Sequence, residues 1–261
     1  MDQTRPAPFA LFDELASSSQ AQGRTPKVGE KAAKRLADHI LENEIAVGTV
    51  LPPEKDLAEM LGIGRGTMRE ALRILEIFGL LDIRTGRYGG PVVSRPNGDD
   101  LAKVLTLSFN ATGASMLDVM AARMLVEPEL ARHAATRISS PELAELRQNI
   151  EAMRSETLTS SGYTRLAQEF HTLVSNAARS PVLSVLALGL HKIGGGDNVG
   201  IEYGPIQFGG TARSHSKIVD ALDARDPELA AELWRRHLAD AEKYWRKAFP
   251  QEAAQAVTWT I

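Results

Sequence analysis

The sequence predicts a mostly α-helical chain in two parts: a small N-terminal unit of three helices and a two-stranded hairpin, then a larger all-helical bundle. Three observations predict it. Apolar residues recur at the i, i+3, i+4, i+7 spacing of a buried helical stripe along most of the chain. Two short extended runs, Leu80 to Arg84 and Pro91 to Ser94, flank a glycine-rich loop. A Pro-Asn-Gly break at Pro96 to Gly98 then divides two charge regimes. Lys27 to Arg95 holds 11 basic and 10 acidic residues, while the whole chain has net charge −3, so the remainder is acidic.

Residues 1–26 lack periodic pattern and are rich in Ser, Gln, Pro and Gly. They are expected to form a mobile tail with one short amphipathic turn at Phe9 to Leu15. Residues 27–95 make the first unit. Ala33, Leu36, Ala37, Ile40 and Leu41 lie on one face of a helix from Val28 to Ile45, ended by Gly48. Leu51-Pro52-Pro53 is extended, because a residue before proline avoids the helical region. Pro53 suits a first helical position, and Glu54, Asp56 and Glu59 favour the early turns of a short helix ending at Met60. Leu61 to Gly64 is a turn. A third helix follows from Arg65 to Phe78, with Met68, Ala71, Leu72 and Leu75 inward and Gly79 as its left-handed cap. Thr85 to Gly90 then supplies the glycines of a hairpin between the two strands.

Residues 96–112 read as a linker and a connecting helix from Asp100 to Asn110. Residues 113–250 read as a bundle of helices at Ser115 to Ile138, Pro141 to Ser155, Tyr163 to Arg179, Pro181 to Ile193, Thr211 to Ala224 and Pro227 to Phe249. Residues 251–261 are expected as a C-terminal tail. Several helices start on Ser-Pro or Asp-Pro, in which the first residue caps and proline takes the first turn. Gly194 to Gly210 has seven glycines in 17 residues, more chain than a bundle connection needs, and is expected as a mobile lid.

A hydrophobic fraction of 43% is enough for a real core, and the absence of cysteine removes disulfide frameworks and thiolate metal sites. No run of about 18 apolar residues suggests a membrane span, and residues 1–22 lack the pattern of a signal peptide. A cytoplasmic protein with no membrane partner is the expectation.

Helix, short helix, turn, helix and hairpin in that order form a winged helix-turn-helix, whose last helix fits the major groove of DNA with its N-terminal side chains at the base edges. Here those are Arg65, Thr67 and Arg69. Gly66 lets the backbone come close. An arginine can hold guanine through two hydrogen bonds, which discriminates by about 1–3 kcal/mol. Gly86 and Arg87 suit a phosphate or minor-groove contact in an acid-free wing that also carries Arg84 and Arg95. The competing reading makes Arg65, Arg69 and Arg73 only the solvated face of an amphipathic helix. The order of turn, helix and basic wing favours DNA, with Arg73 the least committed because Glu70 and Glu76 lie within its reach.

The run LPPEKDLAEMLGIGRGTMREALRILEIFGLLDIRTGRYGGPVV resembles the N-terminal domain of GntR-family regulators over about Val28 to Val93. The resemblance implies DNA contacts at Lys55, Arg65, Thr67, Arg69, Thr85 and Gly86. It also implies a homodimer on double-stranded operator DNA with two-fold related half-sites, with repression the commoner outcome. Gly64 stands where Ser or Thr is usual. The bundle is similar to the FCD domain of the FadR subfamily, through AARMLVEPELARHAA at Ala121, FHTLVSNAARSPVL at Phe170, HSKIVDALDARDPELA at His215, and His237.

That second resemblance implies a divalent metal, Zn or Ni, held by His171, His215 and His237. The position four before His171, where the family has Asp, is Ala167, which cannot ligate. Three readings stay open. The three histidines hold a metal, with water, Gln168 or the effector completing the shell. They bind an effector directly. They are ordinary buried histidines, as His39, His133 and His191 are taken to be. Arg123 matches the family arginine that faces the same pocket, and its planar fork suits a carboxylate; the alternative is a surface or intersubunit ion pair with Glu127. The expected effector is a small carboxylate, a sugar acid or an acyl thioester, over which Tyr203, Gln207 and Phe208 could close. No catalytic residues are expected. Two rival functions are a metal-dependent hydrolase built on the three histidines and an architectural DNA binder without ligand.

Overall fold

The computed structural model of the protein describes residues 27–86, 89–155, 157–195 and 201–259. The expected tail with its turn at Phe9 to Leu15, Arg87 of the wing and the middle of the glycine-rich segment lie outside the described residues. The chain divides into two units, Met1–Pro96 and Asn97–Ile261.

The first unit consists of α1 (Val28–Glu42), α2 (Glu54–Leu61), α3 (Arg65–Ile77), β1 (Leu81–Arg84) and β2 (Gly90–Val93). Leu36, Leu57, Met68 and Ala71 are almost completely buried where α3 crosses α1 and α2. The leucine and methionine side chains among them contribute about 1.5–3 kcal/mol each on burial. Gly62 stops α2 in the left-handed region at φ 65°, and Gly79 does the same after α3 at φ 74°. The strands pair antiparallel, Leu81 opposite Val93 and Arg84 opposite Gly90, and Val50 bridges to Val92 on the outer side. The first helix stops three residues short of Ile45. Gly48 lies in the turn beyond it at φ 90° rather than at its cap, which is Asn43.

The second unit is helical throughout: α4 (Gly98–Thr112), α5 (Met116–Arg137), α6 (Ser140–Met153), α7 (Ser160–Ala177), α8 (Pro181–Ile193), α9 (Pro205–Asp223), α10 (Pro227–Ala248) and α11 (Pro250–Ala254). Capping residues set the starts. Asn97 accepts hydrogen bonds from the backbone N–H groups of Asp99 and Asp100, Ser115 pairs reciprocally with Asp118, and Ser139 with Glu142. Long helix α5 is central and packs against α10, α8 and α7. The core between them includes Met120, Phe170, Ile218 and Trp234.

Two parts depart from expectation. Helix α9 begins at Pro205, six residues before Thr211, so the C-terminal part of the glycine-rich segment is not a loop. Pro205 is pre-set for a first turn, and the side chain of Gln207 closes back on the backbone N–H of Gly204 at 3.2 Å. The segment after Phe249 is not a loose end in its described part. It forms α11, and Val257 is buried, donating its backbone N–H to Ala114 and accepting from Asn110 Nδ2 at 2.8 Å.

Candidate functional site

Two surfaces concern function, one in each unit. In the first, α3 starts at Gly64 with no side-chain cap and no acidic residue in its first turn. Its leading N–H groups and the positive end of its dipole face solvent, an arrangement suited to a phosphate. Arg65, Gly66 and Arg69 are exposed there, and Thr67 is half-buried. A Cβ added at Gly66 would meet nothing within 4 Å, so the fold itself does not require glycine at this position. Arg69 is gripped from below by Glu54 at the start of α2, Nη2 to Oε1 at 2.9 Å and Nε to Oε2 at 3.2 Å. This fork-to-carboxylate contact orients its guanidinium and raises its pKa. Lys55 is exposed one residue later, 3.8 Å from Glu59. In the hairpin, Thr85 and Gly86 are exposed, and Gly86 takes φ 106°. Gly89 is required sterically, since a Cβ there would lie 2.2 Å from the carbonyl oxygen of Arg84.

The second unit gathers histidines from four helices. His171 comes from α7, His191 from α8, His215 from α9 and His237 from α10. Donor nitrogens of His171, His215 and His237 all lie within 4.8 Å of one another. His215 lies flat on Phe170, ring centres 3.6 Å apart, with both ring nitrogens buried and without a hydrogen-bond partner. Trapped polar atoms of that kind are costly unless something binds them. His171 donates Nδ1–H to Glu127 Oε2 at 2.8 Å, which leaves Nε2 with its lone pair available. Glu127 Oε2 also accepts from Trp234 Nε1 at 3.1 Å, and Oε1 accepts from Arg123 Nε at 2.5 Å. The orphaned nitrogens, the oriented His171 and the all-imidazole donor set fit a borderline divalent ion. A second grouping, Glu127 with His171 and His191, is equally close, but both oxygens of its carboxylate are already engaged.

Burial dominates the titration of these groups. It pushes His171 down, and His191 and His215 well below the usual imidazole range; the His171 ring and the Arg123 guanidinium add to it at His191, and the His237 and His171 rings at His215. His237 falls to about 3 for the same leading reason. All four are therefore neutral near pH 7, the form that ligates. For Glu127, burial alone would raise the carboxyl, but Arg123 and then His171 outweigh it and hold the group well below the usual carboxylate range.

A cavity of about 280 Å³ opens beside the cluster. Arg123, Ala167, Gln168, His171, His191 and His237 form the wall near the metal-type donors. Tyr203 and Gln207, expected as closing residues, also line it, whereas Phe208 stands behind, stacked on Tyr163 at 4.8 Å. The structure corrects two readings. His191 is not an ordinary core histidine. It lines the cavity, and its Nδ1 accepts from Arg123 Nη2 at 2.7 Å. Arg123 and Glu127 do form an i, i+4 ion pair, but it is interior, at 4% and 2% exposure, and not on the helix surface. Sequence reasoning missed Glu127 as the group that orients His171, and also Trp234 and Asp240. The pairing of Arg123 with Glu127 one turn apart, on a helix face whose other buried residues (Met120, Leu130, Ala131) are apolar, was the available signal for the first. His39, beside Asn43, and His133, beside Glu129, stay outside the cluster.

Comparison with known proteins agrees with both halves. Residues 29–88 match the family of bacterial regulatory proteins, gntR family, and residues 118–240 match the FCD domain. The chain is 27% identical over 254 residues to the HTH-type transcriptional repressor NanR of Cronobacter sakazakii, covering 92% of this chain and 95% of that one. It is 38% identical over 120 residues to the HTH-type transcriptional regulator Rv0494 of Mycobacterium tuberculosis, 46% of this chain and 48% of that protein. Among solved structures, the Streptococcus agalactiae GntR superposes with a TM-score of 0.63 at 26% identity, over 82% of this chain and 98% of that one.

Proposed function

The chain belongs to the GntR family of bacterial regulatory proteins and carries an FCD domain, a DNA-binding transcription regulator with an effector-binding C-terminal half; from that premise we propose that it is an operator-bound repressor released or tightened by a small carboxylate in the cavity of α5, α7, α9 and α10. Arg65, Thr67 and Arg69 read base edges in the major groove, while Lys55, Thr85, Gly86 and Arg87 hold phosphates. The observation that carries the DNA reading is the uncapped start of α3, where Arg65 and Arg69 stand exposed and Glu54 holds Arg69 pointing outward. Two copies on a two-fold operator are proposed from the family.

In the bundle, His171, His215 and His237 would hold a divalent ion such as Zn or Ni, which supplies a positive centre for an anionic effector. Glu127 keeps His171 in the ligating tautomer. Arg123 already neutralises Glu127, so its role is to fix that network and to offer residual positive field to the cavity, rather than to be the sole acid-binding group. A preference of the effector for one conformation changes operator affinity by linkage. The hydrolase and architectural readings have less support, since the named relatives are transcription regulators.

The test is operator binding by Arg65→Ala against the parent protein on a selected operator and on random DNA. Arg65→Ala should lose about 1–3 kcal/mol of operator affinity, roughly 5- to 160-fold, with less loss on random DNA. Equal operator affinity in the two proteins would refute the assignment of α3.

A further inference from the structure

The histidine cluster offers neutral donors only. Among the charged groups beside it, Arg123 and Glu127 neutralise each other, and the second oxygen of Glu127 is taken by His171 and Trp234. Asp240, one turn beyond His237, lines the cavity, but its oxygens lie outside the mutually close donor atoms. One turn before His171, on the same helix face, the wall carries only the half-buried methyl group of Ala167. A dication among His171, His215 and His237 would therefore meet no anionic donor from the described residues of the cluster. Holding two positive charges in so buried a place without a counter-charge is costly. The cavity beside Ala167 gives an outside anion the room to supply it.

We propose, resting on the metal reading of the cluster given above, that Ala167 makes metal and effector binding mutually dependent: the effector's carboxylate takes the place of a missing protein carboxylate, and each ligand is held weakly without the other. The coupling is reciprocal, as any two-ligand linkage must be. The regulator then responds to an acid and a metal together, and an acid without metal does little.

Zinc affinity measured by competition with a fluorescent chelator, with and without excess acetate, tests this. In the parent protein acetate should tighten zinc by about tenfold, within the usual 5–150-fold range of such couplings. Ala167→Asp should bind zinc tightly without acetate and gain nothing from it. Ala167→Asn, a neutral donor of the same shape, should keep the acetate dependence. With Co(II) in place of zinc, acetate should alter the visible spectrum of the parent protein and leave that of Ala167→Asp unchanged. Zinc affinity indifferent to acetate in the parent protein, or an Ala167→Asp protein still dependent on it, overturns the coupling. If Ala167→Asp does not fold by circular dichroism, the parent and Ala167→Asn measurements decide. His215→Ala separates the two levels. Unchanged zinc binding in that variant refutes the three-histidine site itself, whereas lost zinc binding with no acetate effect in the parent refutes only the coupling.

Discussion

At the scale of single residues, Glu127 organises more of the bundle site than any ligand does. One carboxylate receives Arg123 on one oxygen and both His171 and Trp234 on the other, all in a core where each partner is nearly inaccessible. Removing it leaves a buried guanidinium without a counter-charge, which typically costs about 3–5 kcal/mol. Glu127→Leu is expected to lower the unfolding free energy by that order in urea titrations. Glu127→Gln should lose less, because the amide oxygen still accepts from one neighbour. A Glu127→Leu protein as stable as the parent would show that the network does not support the fold.

At the scale of elements, the two sites depend on how helices begin and how one hairpin turns. The wing needs Gly89, where any Cβ collides with the backbone of Arg84. Gly89→Ala should distort the hairpin and weaken operator binding in a mobility-shift assay while leaving zinc affinity of the bundle unchanged. In the bundle, α6 begins with the reciprocal Ser139 and Glu142 pair, and Arg179 reaches the same carboxylate at 3.1 Å. Burial would raise Glu142, but the Ser139 hydroxyl and N–H groups and then Arg179 hold it below its ordinary 4.5. A depressed carboxyl contributes stability that is present above its unfolded value and lost as pH falls through the folded one. Thermal melts of Glu142→Gln should therefore lose stability relative to the parent at pH 7 and converge with it as the pH drops well below 4.5. A gap that persists in acid would assign the effect to packing.

For the whole molecule, the proposed dimer makes a demand on the second unit. Helices α4 and α8 pack together and leave Val104, Leu107, Val182 and Leu186 exposed, Val182 at 72%. Apolar exposure of this kind suits a protein–protein contact. The double variant Val182→Asp, Leu186→Asp should shift the sedimentation coefficient toward a monomer and weaken binding to a two-half-site operator, with the bundle still folded. A variant that sediments as the parent does would place the interface elsewhere. No helix of the described residues is long and apolar enough to cross a membrane.

The sequence alone determined the order of elements, because helical periodicity, capping pairs and prolines act within a few residues of where they stand. Met68, Ala71, Leu72 and Leu75 announced α3, and Arg65 and Arg69 followed as its outward face. The grouping of His171, His215 and His237 was implied by the resemblance to the FCD domain, and the fold brings those three together. Only the tertiary structure decided what surrounds them. His191 arrives from another helix, 20 residues after His171, and no local pattern distinguishes it from a core histidine. A surface i, i+4 pair of Arg123 with Glu127 stays open as an alternative in the sequence until packing of α7, α8 and α10 around α5 removes their water. The start of α9 within a glycine-rich stretch was likewise hidden, because glycine's weak local preference yields to packing. Burial and charge compensation depend on contacts between residues distant in the chain, and so they appear only when the chain has folded.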